Sequence, residues 1–272
     1  MLPSIAQHAR MHGIVPNKKL GQNFLFDMSL CDKIARAAGQ IEGKEILEIG
    51  PGPGGLTRAI LSLSPSKLTV IEKDERCSSL IGDIKSEYPQ LHLIHADALK
   101  IKLSNITSGK LLIVANLPYN VGTELLFNWL DEIELVTSMT LMLQKEVVDR
   151  ICASPHSKSY GRLSIMCQIM ADVSKIFDVG PEAFYPPPKV TSSIVHIVPK
   201  AEILSKELIS SIRHITQLAF SARRKMIKKP LQVLHPKIED ILIELGIDPS
   251  SRAENISPED YVRLAERLAK NI

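Results

Sequence analysis

Between Lys44 and Gln144, short apolar runs alternate with stretches of helical periodicity, a pattern that few folds accept. The candidate strands are Glu45–Ile49, Leu68–Glu72, Leu91–His95, Leu111–Ala115 and Met139–Gln144. Each reads as a nearly continuous hydrophobic run, as parallel strands covered on both faces do. Helices are expected near Leu56–Leu63, Glu75–Ser86, Thr123–Leu130 and Lys145–Ala153. Strand, helix and strand repeated in this way predict a doubly wound α/β sheet with right-handed crossovers. Ser174–Val179 and Ser192–Val198 are expected to add two strands at an edge. After Pro199-Lys200 the pattern becomes helical, without a convincing strand, and is punctuated at Pro230, Pro236, Pro249 and Pro258. The chain therefore divides, on sequence, into an α/β domain over residues 1–200 and a small all-helical domain over residues 201–272.

A chain of 272 residues with 44% hydrophobic residues suffices for one sizeable core, or for a large domain and a small one. Its net charge is only +3, so any interaction with nucleic acid must rest on where the basic residues lie. Cys31, Cys77, Cys152 and Cys167 are far apart and form no C-x-x-C pair. That spacing argues for reduced thiols, against a zinc site or a disulfide framework. Met1–Met11 contains His8 and Arg10 and lacks the apolar run of a signal peptide. With no uninterrupted apolar stretch of about 20 residues, the expectation is a cytoplasmic protein, off the membrane, and nothing demands more than a monomer.

The first strand runs into Glu48-Ile-Gly50-Pro-Gly52-Pro-Gly54-Gly55, where glycines permit a tight turn and close approach of a ligand to backbone. Gly50, Gly52 and Gly55 satisfy the G-x-G-x-x-G spacing, and Glu72 ends the second strand where a carboxylate accepts from ribose hydroxyls. A nicotinamide dinucleotide and S-adenosylmethionine both carry such a ribose, so the loop alone leaves both open; a ligand-free turn is the bland alternative. Asp97 follows the third strand, where a carboxylate can accept from a cofactor's adenine amine, but an Asp there is also a common turn residue.

The fourth strand ends in Asn116-Leu117-Pro118-Tyr119, and ligands of open α/β sheets bind beyond the carboxyl ends of the strands. The loop suits methylation of an aryl amine such as that of adenine, a poor nucleophile because its lone pair is delocalised. Acceptors on the amine hydrogens favour a pyramidal nitrogen. The Asn116 side-chain carbonyl and the backbone carbonyl of Leu117 or Pro118 are candidates. Pro118 stiffens the turn, and Tyr119 offers a stacking face worth about 1–3 kcal/mol. No general base is required, because the alkylated nitrogen is acidic enough to lose its proton to water. An ordinary turn with one packed aromatic is the alternative, and a dehydrogenase has no need of such a loop.

Taken with Lys19-Leu-Gly-Gln-Asn-Phe-Leu25, Leu143-Gln-Lys-Glu146, Tyr160-Gly-Arg-Leu-Ser164, Phe184-Tyr-Pro-Pro-Pro-Lys-Val190, Phe220-Ser-Ala-Arg-Arg-Lys225 and Arg252-Ala-Glu-Asn255, these motifs make the chain resemble the ribosomal RNA adenine dimethyltransferases over almost its whole length. The resemblance is closest to their bacterial small-subunit (16S) branch. It implies a Rossmann-like class I methyltransferase sheet, S-adenosylmethionine as cofactor, and dimethylation of two adjacent adenines in 16S rRNA of the small subunit or its precursor. It further implies that Asn23, Leu25, Gly50, Gly52, Glu72, Asp97 and Asn116 line the cofactor site. Phe184 would cover the adenine face opposite Tyr119. Without the family, Phe184 reads as a core aromatic beside a stiff triple proline, and Asn23 as a turn residue ahead of a helix starting near Asp27. Related large-subunit enzymes of the macrolide-resistance type and a non-catalytic assembly factor are the alternatives.

Arg223, Arg224, Lys225, Lys228 and Lys229 crowd into seven residues. On a continuous helix Arg224 and Lys228 share a face, as do Lys225 and Lys229, forming an RNA-binding surface that neutralises phosphates. A solvated helix face is the bland reading. Lys18, Lys19 and Arg10 are candidate extensions of this patch. The family usually continues the basic helix into an Arg-Asn pair; here Lys228-Lys229-Pro230 stands instead, and Pro230 is expected to end the helix early.

Overall fold

The computed structural model describes residues 2–17 and 21–269. The strands are β1 (Phe24–Leu25), β2 (Glu45–Ile49), β3 (Lys67–Glu72), β4 (Leu91–His95), β5 (Leu111–Asn116), β6 (Val136–Gln144), β7 (Ala171–Val179), β8 (Phe184–Tyr185) and β9 (Ser192–Pro199). The helices are α1 (Ile5–Met11), α2 (Met28–Arg36), α3 (Gly55–Leu61), α4 (Cys77–Glu87), α5 (Gly122–Leu130), α6 (Lys145–Ile151), α7 (Arg162–Met170), α8 (Lys206–Ser221), α9 (Lys228–Leu231), α10 (Ile238–Glu244) and α11 (Pro258–Ala269).

Seven strands form one sheet in the order β4-β3-β2-β5-β6-β9-β7. β2, β3, β4, β5 and β6 run parallel, and β9 runs antiparallel to β6. The expected edge strands are thus present, at the β6 side. β2 pairs through Ile46 with Leu68 on one flank and Leu112 on the other. Ile46, Leu68, Val70, Leu112 and Val114 are all buried, because helices cover both faces and leave the strands no solvated side. The chain order reverses between β2 and β5, and that reversal opens a crevice at the strands' carboxyl ends.

Local caps set several helix starts. Asp27 accepts the Ser29 and Leu30 N–H groups at the head of α2, so the helix expected near Asp27 begins there. At the N-terminus Ser4 and Gln7 form a capping box for α1. His8 and His12 Nε2 both lie on Asp83 Oδ2, at 3.0 and 2.7 Å, which ties this end of the chain to α4. Arg58 Nη2 stands 2.6 Å from His8 Nδ1. A guanidinium only donates, so the His8 proton sits on Nε2 and points at Asp83.

The chain separates into two compact units, residues 1–148 with 174–199 and residues 149–173 with 200–272. The sequence division placed all of 1–200 in the first. Residues 149–173 group instead with the later helices, because α7 packs on α8 and α11. Within this second unit Tyr160 and Tyr261 are fully buried, and their hydroxyls donate to the carbonyls of Ile256 and Ala253, both at 2.9 Å. Each buried hydroxyl thereby keeps a partner. No helix among the described residues is long and apolar enough to cross a membrane.

Candidate active site

The crevice at the β2/β5 reversal is a cleft of about 240 Å³, lined wholly from the first unit. Asn23, Leu25, Gly50, Gly52, Glu72, Asp97, Asn116, Leu117, Pro118, Tyr119 and Phe184 all line it, so the fold brings together the residues expected at the cofactor and the acceptor base, while the basic cluster lies in the second unit. Lys18 and Lys19 lie outside the described residues.

The glycine loop forms one wall. Gly52 has φ +51°, and a Cβ there would lie 3.2 Å from the Phe24 ring. Gly54 has φ +80°, and a Cβ there would meet Ile84 Cδ1 at 2.5 Å. Both positions need glycine for conformation and for space. Beyond the loop, Glu72 is nearly buried yet accepts three backbone N–H groups: Gly52 at 3.3 Å, and Lys73 and Asp74 at 2.8 Å each. Burial raises its carboxyl above the usual range, and these donors work against that rise. A carboxylate held this way keeps its orientation and retains lone pairs for a ligand hydroxyl.

Asp97 serves two local partners. One oxygen caps Leu99 N–H at 3.2 Å and the other meets Lys73 Nζ at 2.8 Å, and Lys73 holds the carboxyl below its ordinary range. Asp97 thus makes the contacts of a turn residue and also lines the cleft.

At the end of β5, Leu117 N–H bonds to the Met142 carbonyl and fixes the loop to β6. The Pro118 carbonyl already accepts from Val121 and Gly122 N–H, at 3.2 and 3.1 Å. Of the two candidate backbone acceptors, Leu117 is therefore the available one. The Tyr119 hydroxyl meets buried Ser192 Oγ at 2.6 Å, which fixes the ring from β9. Sequence reasoning missed Ser192, since its partner lies across the sheet. Phe184 pairs with Leu25 in the two-stranded β1-β8 ribbon. It is 5% exposed and belongs to the core cluster with Phe24, Leu25 and Ile194. It is both a core aromatic and a wall of the cleft.

Two further lining residues lacked a role on sequence. Gln22 Nε2 donates to Asp74 Oδ2 at 3.0 Å, joining the segment before β1 to the end of β3. Glu48 is 1% exposed and accepts from the Thr57 hydroxyl at 2.7 Å. A carboxylate between Leu47 and Ile49, within the buried part of β2, was the visible signal for it.

The family model for ribosomal RNA adenine dimethylase matches residues 15–270. The chain belongs to this family. It is 46% identical over 271 residues to the Ribosomal RNA small subunit methyltransferase A of Sinorhizobium medicae, covering 98% of both chains. With the protein of the same name from Xanthobacter autotrophicus it shares 44% identity, over 99% of this chain and 95% of that one. Among solved structures it is similar to a dimethyladenosine transferase from Plasmodium falciparum, with TM-score 0.79 and 27% identity over 91% of this chain and 98% of that one. It is also similar to the 23S rRNA methyltransferase ErmE, with TM-score 0.73 and 26% identity over 91% and 100% of the two chains. The chain is thus an rRNA adenine methyltransferase with the Rossmann-like fold of its relatives, and the dimethylases take their methyl groups from S-adenosylmethionine. The cleft's donor set fits that cofactor: a close-approach glycine loop for its backbone contacts, an anchored carboxylate for its ribose diol and a second carboxylate for its base amine.

In the second unit the basic cluster departs from expectation. α8 ends at Ser221, Ala222 leaves helical geometry, and α9 begins only at Lys228. The five cations therefore do not lie on one continuous helix, and the shared-face pairing of Arg224 with Lys228 and of Lys225 with Lys229 does not hold. The cause lies in the side chains that bind the turn. Arg223 Nε pairs with Glu254 at 3.1 Å, while Nη2 donates to the Tyr160 carbonyl at 2.6 Å. Met226 bridges to Arg252. The motifs at 220–225 and 252–255 are thus partners in one structural joint. Pro230 does not end a helix; it sits in the first turn of α9, where its missing N–H costs nothing. Lys228 pairs with Glu239 at 2.7 Å. Arg224, Lys225 and Lys229 are exposed and have no side-chain partner among the described residues.

Proposed function

We propose that this enzyme dimethylates the N6 amines of two adjacent adenines in a 16S rRNA loop of the small subunit or its precursor, acting as a cytoplasmic monomer. The observation that carries this reading is the convergence of Asn116, Tyr119 and Phe184 on the cleft that also holds Glu72 and the glycine loop. When bound there, S-adenosylmethionine supplies an electrophilic methyl group. The protein's own part is to place and polarise the acceptor. The Asn116 side-chain carbonyl and the Leu117 carbonyl accept the two amine hydrogens and turn the nitrogen lone pair towards the methyl donor. Tyr119, fixed by Ser192, and Phe184, fixed in the core, stack on the two faces of an adenine already splayed from its loop. The nitrogen's surplus proton passes to water.

The likeness to ErmE favours one second reading, methylation of large-subunit rRNA. Higher identity to relatives named for the small subunit, across the full length of both chains, favours the first. Incubation of purified, unmodified small and large subunits with labelled S-adenosylmethionine separates them. Label is expected in the small subunit; label confined to the large subunit would reverse the assignment.

Of the basic residues, Arg224, Lys225 and Lys229 are assigned to RNA phosphates, because they are exposed and have no side-chain partner among the described residues, while Arg223 is bound into the joint with Glu254 and Tyr160. Replacing Arg224 and Lys225 by alanine is expected to weaken small-subunit binding and lower the slope of log K against log salt by about 1 per cation. Cofactor affinity should not change. Arg223→Ala is expected to lower thermal stability instead. Equal salt slopes for the double variant and the wild type would contradict the phosphate assignment.

A further inference from the structure

Glu48 is the carboxylate in the cleft wall that neither diol recognition nor base placement uses. It is 1% exposed, and the Thr57 hydroxyl on α3 donates to its Oε2 at 2.7 Å. Glu72, one strand away, has three N–H donors; among the described residues Glu48 has this single hydroxyl. The charged and titratable groups that act on it are Glu72 on β3 and the buried Cys31 thiol on α2, and neither is a cation. A carboxyl so enclosed is costly to ionise. Burial, helped by Glu72, pushes it up to about 8. Among the described residues the charged lining of the cleft is Glu48, Glu72, Asp97 and Lys73, and Lys73 is paired with Asp97. A net anionic wall with one reluctant carboxyl suits a ligand that brings positive charge with it.

We propose that Glu48 faces the sulfonium charge of S-adenosylmethionine, gives up its proton as that cofactor enters, and so favours the charged cofactor over S-adenosylhomocysteine. This rests on the cofactor reading of the cleft. In the exchange the Glu48 O–H bond breaks, the electron pair stays on the carboxylate and the proton leaves to solvent. An adjacent cation favours the ionised form, so release is largest below the pH at which the empty site already ionises and fades above it.

The test is titration calorimetry of the full chain with S-adenosylmethionine and with S-adenosylhomocysteine, each in buffers of different ionisation enthalpy. Near pH 7 the wild type is expected to release about one proton on binding S-adenosylmethionine, falling towards zero by about pH 9.5. Release with S-adenosylhomocysteine is expected to be much smaller. Glu48→Gln, which keeps the shape and the Thr57 contact, is expected to abolish that release and reduce the preference for the charged ligand by about tenfold or more. Wild-type binding without proton release near pH 7, or equal release from both ligands, would overturn the proposal, whatever the variant's stability. Equal release from wild type and a folded Glu48→Gln would also overturn it. If neither ligand binds, the cofactor reading itself fails, an outcome distinct from binding without release.

Discussion

Replacing Asn116 by alanine is expected to slow methyl transfer by about 10²–10³-fold, the usual loss when one pre-aligned polar group is removed from a reacting centre. The expectation follows from the structure of the loop. Leu117 N–H ties it to Met142, and the Pro118 carbonyl is committed to the start of α5. Asn116 is therefore held at the strand end whether or not a base is present. In the proposed reaction its side-chain carbonyl accepts from the amine, and alanine removes that acceptor. Cofactor affinity is expected to change by no more than a few-fold, since Glu72, Asp97 and the glycine loop remain. Single-turnover rates at saturating cofactor, with calorimetry for binding, check both parts. Transfer at the wild-type rate would remove Asn116 from the reaction.

Phe184 is expected to show two separable losses. It is 5% exposed and packs in the core cluster with Phe24, Leu25, Val179 and Ile194. Phe184→Ala is therefore expected to cost about 3–5 kcal/mol of stability through lost burial and a cavity. Phe184→Leu keeps most of the apolar volume, so its stability loss should be markedly smaller. It removes the aromatic face, though, and the stacking worth about 1–3 kcal/mol per base. The leucine variant should thus stay folded while its methyl-transfer rate falls by about tenfold or more. Denaturant midpoints and steady-state kinetics on small subunits report the two effects independently. A fully active leucine variant would leave Phe184 as a core residue alone.

The parts of the fold that were legible in sequence are those where burial acts on contiguous residues. β2 runs from Glu45 to Ile49, as read from its nearly continuous apolar run; the edge strand β4 also keeps its expected bounds, Leu91–His95, although only Leu91 in it is buried. β6 starts three residues before its expected Met139, because Thr137 and Ser138 interrupt the run while Val136 is buried. The β1-β8 ribbon left no trace, since two-residue strands distant in sequence carry no periodicity. It is nonetheless what sets Phe184 beside Leu25. The meeting of Asn116, Glu72 and the glycine loop in one cleft was readable because strand ends in this fold class open onto the crevice. Ser192 and Gln22 were not, because their roles exist only across the sheet or between a loop and a distant strand. The basic cluster was misread as helix because composition shows charge and hides commitment. Arg223 leaves the helical run to reach Glu254 and the Tyr160 carbonyl, contacts that no local pattern announces.

Under the proposed function this cleft methylates adenine amines of small-subunit RNA. Mass mapping of nucleosides from unmodified small subunits, after incubation with the enzyme and S-adenosylmethionine, tests it most directly. The expected result is N6,N6-dimethyladenosine at two adjacent positions of one 16S loop, absent when Asn116→Ala replaces the wild type. Methyl groups on any other base, or unmodified adenines after incubation with a folded, cofactor-binding enzyme, would contradict it.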